Sequence, residues 1–307
     1  MYYCGWDGGG TKTALCAISP DGRVIHEAEF GPLNLNGTDR ESVRTTVLDA
    51  VDCMRSALPG GLSGCACLVI GMAGISNQTS VCFIENSLRE AGYTGPLSIT
   101  GDQAIALNGA IRGYGAVLVA GTGSVCCGRD SKGTIYRTGG YGYLIDDPGS
   151  GYAIGRDILT AVVQAHDGRI APTVLKERVF RTLEITRIEQ LISWLYATAT
   201  SKHDIAALSK LLPPALEQHD AAASLIAEKA ANDLSLLVQA LWRKAGFTAG
   251  ELALTGGILN HFLCIRTRLV ELIHAIYPEI EIHDPLHTPA YGAAMMALAS
   301  ASPSQVK

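Results

Sequence analysis

The sequence has no cluster of lysine and arginine and no long apolar run. Its 307 residues carry 24 basic and 29 acidic side chains, for a formal net charge of -5. Binding to a nucleic-acid backbone needs a basic surface, so no nucleic-acid partner is expected. The longest apolar runs, such as 293–299, are far shorter than the roughly 20 residues that cross a bilayer. Asp7 interrupts the first apolar stretch, and no basic region precedes it, which argues against a signal peptide.

Sequence patterns typical of metal and redox sites are also missing. None of the nine cysteines forms a C-x-x-C pair, and no H-E-x-x-H motif occurs. This argues against a zinc ribbon, a thioredoxin-type pair and a ferredoxin-like cluster. An odd number of cysteines without a signal peptide predicts reduced thiols and a cytoplasmic protein that does not bind membranes. His261 and His287 are interpreted as surface or packing residues.

What is present is typical of a globular α/β protein. Apolar residues make up 48% of the chain and charged residues 17%, and the length suggests two domains of roughly 150 residues. The pattern predicts three antiparallel strands at 2–6, 13–18 and 23–30, followed by a helix at 38–58 and a strand at 65–71 that is buried on both faces. A helix, a strand and another helix follow, which indicates a mixed sheet.

The opening pattern recurs near residue 116. Strands are predicted at 116–120, 125–129 and 134–137, again with a glycine turn first, and this internal repeat points to two similar domains. We expect a first domain at 1–113 and a second at 114–288, with helices at 151–167, 172–196, 203–217 and 220–245. A closing helix at 289–300 is expected to pack back on the first domain. Gly113 and Gly115 mark a candidate hinge.

A glycine-rich loop follows the first strand, in the run D-G-G-G-T-K from Asp7 to Lys12. Three glycines allow backbone N–H groups to converge on an anion, and Lys12 adds a positive charge for phosphoryl oxygens. Asp7 is a candidate ligand of hydrated Mg²⁺. The spacing is not that of a Walker A loop. A plain glycine-rich hairpin turn is the alternative.

A second loop, G-T-G-S from Gly121 to Ser124, occupies the equivalent place in the repeat. A further T-G-G turn from Thr255 to Gly257 follows a later strand. Two anion-binding turns at matching points of a duplicated unit are suited to holding one polyphosphate between them.

These motifs and the strand repeat resemble the sugar kinase, chaperone ATPase and actin superfamily. Within it, the chain is similar to the N-acetylglucosamine and glucosamine kinases, which are placed with the BadF/BadG/BcrA/BcrD ATPases. The resemblance implies two ribonuclease-H-like domains with a cleft between them, ATP and Mg²⁺ as cofactors, an amino sugar as substrate, and a homodimer. It also implies a set of ATP-binding residues: Gly9, Gly10, Thr11, Lys12, Gly121, Thr122, Gly123, Gly256 and Gly257.

Asp102 opens a predicted helix in the run T-G-D-Q-A. A carboxylate among helix N-terminal amides suits a general base that takes the proton from a sugar hydroxyl. The segment resembles the T-D-A of the amino-sugar kinases, whose Asp is the base. An N-cap role is the alternative.

Sugar-binding residues are implied by the same resemblance. Asp147 matches the Asp of the family's G-D-E-G-S run, although Asp146 replaces its Gly and Pro148 replaces its Glu. The family's contact through that Glu is therefore missing here. Asp146 and Asp147 capping a helix near Pro148 is the alternative. Asn34 is expected to contact the sugar, with Asn36 as the alternative. The remaining candidates for the sugar site are Gly74, Ser124, Gly140, Tyr141 and Asp102 itself.

The predicted reaction is ATP-dependent phosphorylation of N-acetylglucosamine or glucosamine at O6. A kinase for another hexose, such as N-acetylmuramic acid, is one alternative. A second is an ATPase activator of a dehydratase or reductase, which would hold a [4Fe–4S] cluster between paired cysteines at a dimer interface. A sugar sensor without catalysis is the third.

Overall fold

The computed structural model describes residues 1–35, 38–72, 75 and 77–301. The chain divides into two compact units. Unit 1 consists of residues 1–112 and the segment from Pro285 onward, and unit 2 consists of residues 113–284. The predicted sites at Asn36 and Gly74 lie outside the described residues.

The strands are β1 (Tyr2–Gly8), β2 (Thr13–Ile18), β3 (Val24–Phe30), β4 (Cys65–Met72), β5 (Leu97–Gly101), β6 (Gly115–Ala120), β7 (Ser124–Arg129), β8 (Ile135–Gly139), β9 (Gly250–Thr255) and β10 (Ile280–His283). The α-helices are α1 (Arg40–Ala57), α2 (Gln78–Glu90), α3 (Asp102–Ala110), α4 (Gly151–His166), α5 (Val174–Thr182), α6 (Ile188–Leu195), α7 (Lys202–Ala207), α8 (Leu212–Leu216), α9 (Ala221–Ala245), α10 (Gly257–His261), α11 (Leu263–His274) and α12 (Pro289–Ala301). Short 3₁₀ helices occur at Gly61–Gly64 and Leu208–Leu211. Among the described helices, none combines the length and hydrophobicity needed to cross a membrane.

Unit 1 is built on a five-stranded sheet in the order β3-β2-β1-β4-β5. The predicted antiparallel meander is confirmed in β1 to β3, and β4 and β5 run parallel to β1. Strand β4 is almost entirely buried, as its continuous apolar run predicts. A Cβ at Gly5 would lie 2.2 Å from the backbone nitrogen of Ala294. Glycine in β1 therefore allows the backbone of α12 to pack directly on the sheet.

Unit 2 repeats this topology with the order β10-β9-β6-β7-β8. Strand β6 takes the place of β1, with β7 antiparallel and β9 parallel to it. The strand repeat expected from the sequence is thus present in the sheet order. Strand β10 was missed, because only four residues form it and polar side chains alternate with its two isoleucines.

The predicted helix at 172–196 is wrong, since the segment forms the separate helices α5 and α6. Glu184 between them has a positive φ of 54°, which a continuing helix does not allow. The long helix α9 begins where expected because Asp220 caps it, accepting the N–H of Ala223 at 2.9 Å. The same carboxylate accepts from Thr173 Oγ1 at 3.0 Å and the N–H of Val174 at 2.9 Å, which joins α9 to the start of α5.

Candidate active site

Two carboxylates of unit 1 stand at one edge of its sheet. Asp7 is the second-last residue of β1, and Asp102 follows β5 directly as the first residue of α3. Since β1, β4 and β5 are parallel, these side chains come from strand ends at the same edge. Burial raises the pKa of Asp7 to about 6, with a further upward contribution from the charge of Asp102 and an opposing one from Lys12. The two acids are therefore electrostatically coupled.

Asp102 is not the N-cap of its helix. That position belongs to Gly101, and the Asp102 carboxylate accepts the N–H of Gln103 at 2.9 Å. A carboxylate in the first turn is stabilised by the partial positive charge of the helix start. The alternative of a simple N-cap is wrong, although the residue does lie at the helix N-terminus as expected.

The loop at 9–12 is tied to the segment that carries Asn34. The N–H of Gly9 donates to the carbonyl of Lys12 at 2.9 Å, and the carbonyl of Gly9 accepts the N–H of Leu33 at 3.1 Å. Gly10 is open, with nothing within 4 Å of a Cβ built there. Lys12 is exposed and forms an ion pair with Glu29 on β3. The ammonium group has three N–H donors, so this ion pair leaves donors for a phosphate.

The second loop, at 121–123 in unit 2, is fixed against the start of α4. The N–H groups of Gly151 and Tyr152 donate to the carbonyls of Gly121 at 2.7 Å and Thr122 at 3.2 Å. Ser124 Oγ donates to the carbonyl of Pro148 at 2.6 Å. These bonds tie the loop to the start of α4 and to Pro148, which precedes that helix.

Asp147 lies directly beside this loop. It is 8% exposed and has a positive φ of 59°. Its carboxylate accepts the backbone N–H groups of Ser124 and Gly142, while burial raises its pKa. A Cβ at Gly123 would lie 2.8 Å from Asp147 Oδ2, so glycine is needed for this close approach.

The alternative that Asp146 and Asp147 cap a helix near Pro148 is wrong. Helix α4 begins at Gly151, and its N-cap is Ser150, which accepts the N–H of Ala153 at 3.2 Å. Asp146 instead accepts the N–H of Tyr141 at 3.0 Å.

Tyr141 is exposed, and the guanidinium of Arg137 lies 4.9 Å from its ring centroid. Arg137 also donates to the carbonyls of Gly139 and Gly140. The turn that carries Gly140 and Tyr141 is therefore held in place by one arginine.

Unit 2 contains a cavity of about 730 Å³ that borders the second loop. Its lining residues are Gly121, Thr122, Gly151, His203, Ala206, Ala207, Ser209, Lys210, Pro213, Gly257, Ile258, His261 and Phe262. This lining includes no carboxylate among the described residues and offers hydroxyl, imidazole and ammonium groups. The volume is that of a typical small-molecule site. The cavity can take an anionic ligand whose charge meets the second loop.

The predicted nucleotide residues Gly121, Thr122 and Gly257 line this cavity. Gly256 next to it has a φ of 98°, and a Cβ there would lie 2.4 Å from the carbonyl oxygen of Ala120. Glycine therefore brings the end of β9 close to the second loop. This contact requires the first glycine of the T-G-G turn, whereas Gly257 has nothing within 4 Å of a built Cβ.

Sequence reasoning missed the side of the cavity formed by α7, the 3₁₀ helix and α8. A usable signal was present, because His203, Ala207 and Lys210 recur at helical spacing and would share one face of a helix. His261 was interpreted as a surface or packing residue, and it is exposed but also lines the cavity.

The predicted site residues thus fall into two sets, one in each unit. Unit 1 brings together Asp7, Asp102 and the loop at 9–12, with Asn34 close in sequence to a residue bonded to that loop. Unit 2 brings the loop at 121–123 together with Asp147 and the cavity.

A family model describing the BadF/BadG/BcrA/BcrD ATPase family matches residues 4–297. An N-acetylmuramic acid/N-acetylglucosamine kinase of Clostridium acetobutylicum is 31% identical over 96% of this chain and 98% of its own length. An N-acetyl-D-glucosamine kinase of Dictyostelium discoideum is 30% identical over 97% of this chain and 98% of its own.

A solved structure from Chromobacterium violaceum, provisionally named N-acetylglucosamine kinase, superimposes with a TM-score of 0.74 at 22% identity, covering 96% of this chain and 98% of the other. The predicted α/β class, with a mixed sheet in each of two units, is confirmed. The match along nearly the whole chain settles the family as well: the protein belongs to the BadF/BadG/BcrA/BcrD ATPase family.

Proposed function

We propose that the protein transfers the γ-phosphoryl group of ATP to an amino sugar, N-acetylglucosamine or glucosamine, with N-acetylmuramic acid as the alternative acceptor. The observation that carries this proposal is the match, along nearly the full length of both chains, to curated relatives named as kinases for such sugars. The coupled acids Asp7 and Asp102 of unit 1 supply the chemistry that such a reaction needs.

Asp102 acts as the general base in this proposal. Its carboxylate takes the proton from the acceptor hydroxyl, O6 of the sugar, as that oxygen forms a bond to the γ-phosphorus. The bond from this phosphorus to the bridging oxygen breaks, and ADP leaves with the electron pair. The position of Asp102 at the start of α3, after a parallel strand, supports this role because such strand ends commonly face ligands.

Asp7 fits a Mg²⁺ ion held through water. Its pKa is raised by burial and by the charge of Asp102, so ionising Asp7 beside Asp102 costs free energy. A divalent cation relieves such repulsion, and Mg²⁺ prefers oxygen ligands that include carboxylate and water. When bound, it would neutralise charge on the phosphates.

The nucleotide is assigned to the cavity of unit 2. Its polyphosphate would meet the N–H groups of Thr122 and Gly123, since the N–H of Gly121 donates to the carbonyl of Gly123 at 2.9 Å. Its nucleoside would lie among the residues of α7, α8 and α10. The glycines at 256 and 257 border the nucleoside in this proposal. Gly9, Gly10, Thr11 and Lys12 would contact the terminal phosphates from unit 1.

Sugar contacts are assigned to Asn34 and Gly74 of the first unit's sequence and to Ser124, Gly140, Tyr141 and Asp147 of unit 2, as the resemblance implies. Asp147 supports this role because a carboxylate can accept about four hydrogen bonds, and two backbone N–H groups account for half of them. Its remaining lone pairs are suited to sugar hydroxyls.

A panel of acceptors with ATP tests the proposal. N-acetylglucosamine, glucosamine, N-acetylmuramic acid and glucose are each incubated with the enzyme, and the phosphate position is read by NMR of the product. We expect an amino sugar phosphorylated at O6 to form fastest. A preference for glucose, or phosphate at another oxygen, would contradict the substrate assignment.

A further inference from the structure

Two short segments carry the chain between unit 1 and unit 2, at 112–113 and at 284–285. On the unit 1 side, the segments are bonded to each other. The N–H of Leu286 donates to the carbonyl of Ala110 at 3.2 Å, and the N–H of His287 donates to that of Gly109 at 2.8 Å. The two connections therefore leave unit 1 side by side at the end of α3.

On the unit 2 side, one carboxylate reaches both connections. Glu251 lies in β9, and its side chain is 17% exposed. Its Oε1 accepts the N–H of Gly113 at 3.2 Å. Its Oε2 lies 3.3 Å from Nε2 of His283, the last residue of β10 and the neighbour of Asp284. A single side chain is thus hydrogen-bonded to the residue after one crossing and lies beside a residue just before the other.

Further contacts fix the same two points within unit 2. Arg129 donates from Nη2 to the carbonyl of Gly113 at 3.0 Å. Arg266 forms an ion pair of 2.7 Å with Asp284. A Cβ at Gly115 would lie 2.1 Å from the carbonyl oxygen of Glu251, so the backbone of β6 passes directly against this residue. Residues 111–112 lie between Ala110 and Gly113 on one connection, and residue 285 lies between Asp284 and Leu286 on the other.

We propose that Glu251 is a positioning residue that anchors both connections on unit 2 and confines movement between the units to these few residues. This inference rests on the proposed function, because anchored connections matter only if the nucleotide of unit 2 must be aligned with the acceptor and Asp102 of unit 1. Misalignment slows catalysis, since displacing the reacting groups by about 1 Å can lower the rate by about 10²-fold. Glu251 acts through its contacts with Gly113 and His283.

The test compares Glu251→Ala and Glu251→Gln with the matched control Glu281→Gln. Glu281 pairs with Glu251 in register on β10, but it is exposed. The local readout is trypsin cleavage after the exposed Arg112, which yields fragments 1–112 and 113–307, measured relative to cleavage elsewhere in the chain. The functional readouts are kcat and the affinity for a non-hydrolysable ATP analogue.

For Glu251→Ala we expect cleavage after Arg112 to rise several-fold and kcat to fall about tenfold, with analogue affinity unchanged. Glu251→Gln keeps an oxygen for Gly113 and should fall between this variant and wild type. Wild-type cleavage and kcat in folded Glu251→Ala would overturn the proposal, as would equal effects in Glu281→Gln. A parallel loss of analogue affinity and thermal stability would also overturn it, since that indicates a merely structural role. If no sugar is phosphorylated, the proposed function fails, while the cleavage ratio still decides whether Glu251 anchors the connections.

Discussion

Unit 1 and unit 2 share one sheet topology but place different chemistry at the same point. The first hairpin of unit 1 closes between Gly8 and Thr13, and that of unit 2 closes between Ala120 and Ser124. By this alignment Asp7 of unit 1 corresponds to Val119 of unit 2. Unit 1 therefore has an acid at the strand end where unit 2 has an apolar residue.

The loops that follow these strands also have different surroundings. The loop of unit 1 lies in the unit that carries Asp7 and Asp102, whereas the loop of unit 2 is bonded to α4 and borders the cavity. In our proposal, unit 1 supplies the acids for phosphoryl transfer, and unit 2 supplies a preformed nucleotide site.

Removing the base of unit 1 should have the largest effect. Asp102→Asn keeps the shape of the side chain but cannot accept a proton, so kcat should fall by about 10²–10⁴. Affinity for a non-hydrolysable ATP analogue should not change, because the cavity lies in unit 2. Steady-state kinetics and calorimetry measure both, with the exposed Asp49→Asn as the control. Turnover close to wild type would remove Asp102 from the mechanism.

Asp7→Asn should lower activity but raise stability. The folded pKa of Asp7, about 6, exceeds its ordinary value of 3.8, so the ionised carboxylate destabilises the fold. This penalty is absent below pH 4 and grows as the pH rises to 6. At pH 7.5 the variant should gain about 1–2 kcal/mol in unfolding free energy, after allowance for solvent screening, and lose about 10–10²-fold in kcat.

Denaturant unfolding at pH 4 and pH 7.5 checks the sign of this effect. The gain of Asp7→Asn over wild type should be larger at pH 7.5 than at pH 4. An equal gain at both values, or a loss at pH 7.5, would contradict the electrostatic coupling that sets unit 1 apart.

Alanine in the two loops should separate their roles. Neither Gly10 nor Gly121 has an atom within 4 Å of a built Cβ, and neither has a positive φ, so alanine should leave the fold intact. In unit 2, Gly121→Ala blocks close approach of a phosphate and should weaken analogue binding by about tenfold. Gly10→Ala in unit 1 should alter kcat more than affinity. If calorimetry showed that both variants lose the same affinity for the ATP analogue, the two loops would not have different roles.

The smallest expected effect belongs to the cavity lysine of unit 2. Lys210 is exposed, so replacing it by alanine should weaken analogue binding by only about three- to fivefold, and less at high salt. Lys132→Ala, in an exposed turn of the same unit, is the control. An equal change in both variants would mean that Lys210 does not meet the nucleotide.

Much of the fold was predictable because its signals are local. Apolar runs and glycine turns mark β1, β6 and the loops that follow them, and the repeat of this pattern predicts two similar sheets. Strand β10 was missed because a strand of four residues leaves little pattern. The break at Glu184 was missed because a glutamate takes the left-handed position just after the helix C-cap, closed by the N–H of Ile185 donating to the carbonyl of Phe180, where glycine is the usual signal.

The candidate site was predictable only in part, for a similar reason. Asp102 and the loop glycines stand next to strand ends, where sequence position indicates placement. Asp147 sits in a strained backbone conformation against Gly123, more than 20 residues away in sequence, and no local pattern indicates that contact. The side of the cavity near Lys210 likewise depends on how separate helices pack.

ADP formation by the wild-type protein, with and without N-acetylglucosamine, tests the central claim most directly. If the protein transfers phosphate from ATP to a sugar, ADP release should be slow without sugar. Adding sugar should raise the rate by at least about 10²-fold, with one sugar phosphate formed per ADP. An ATP turnover that does not change with any amino sugar would contradict the account and favour an ATPase whose energy serves another protein.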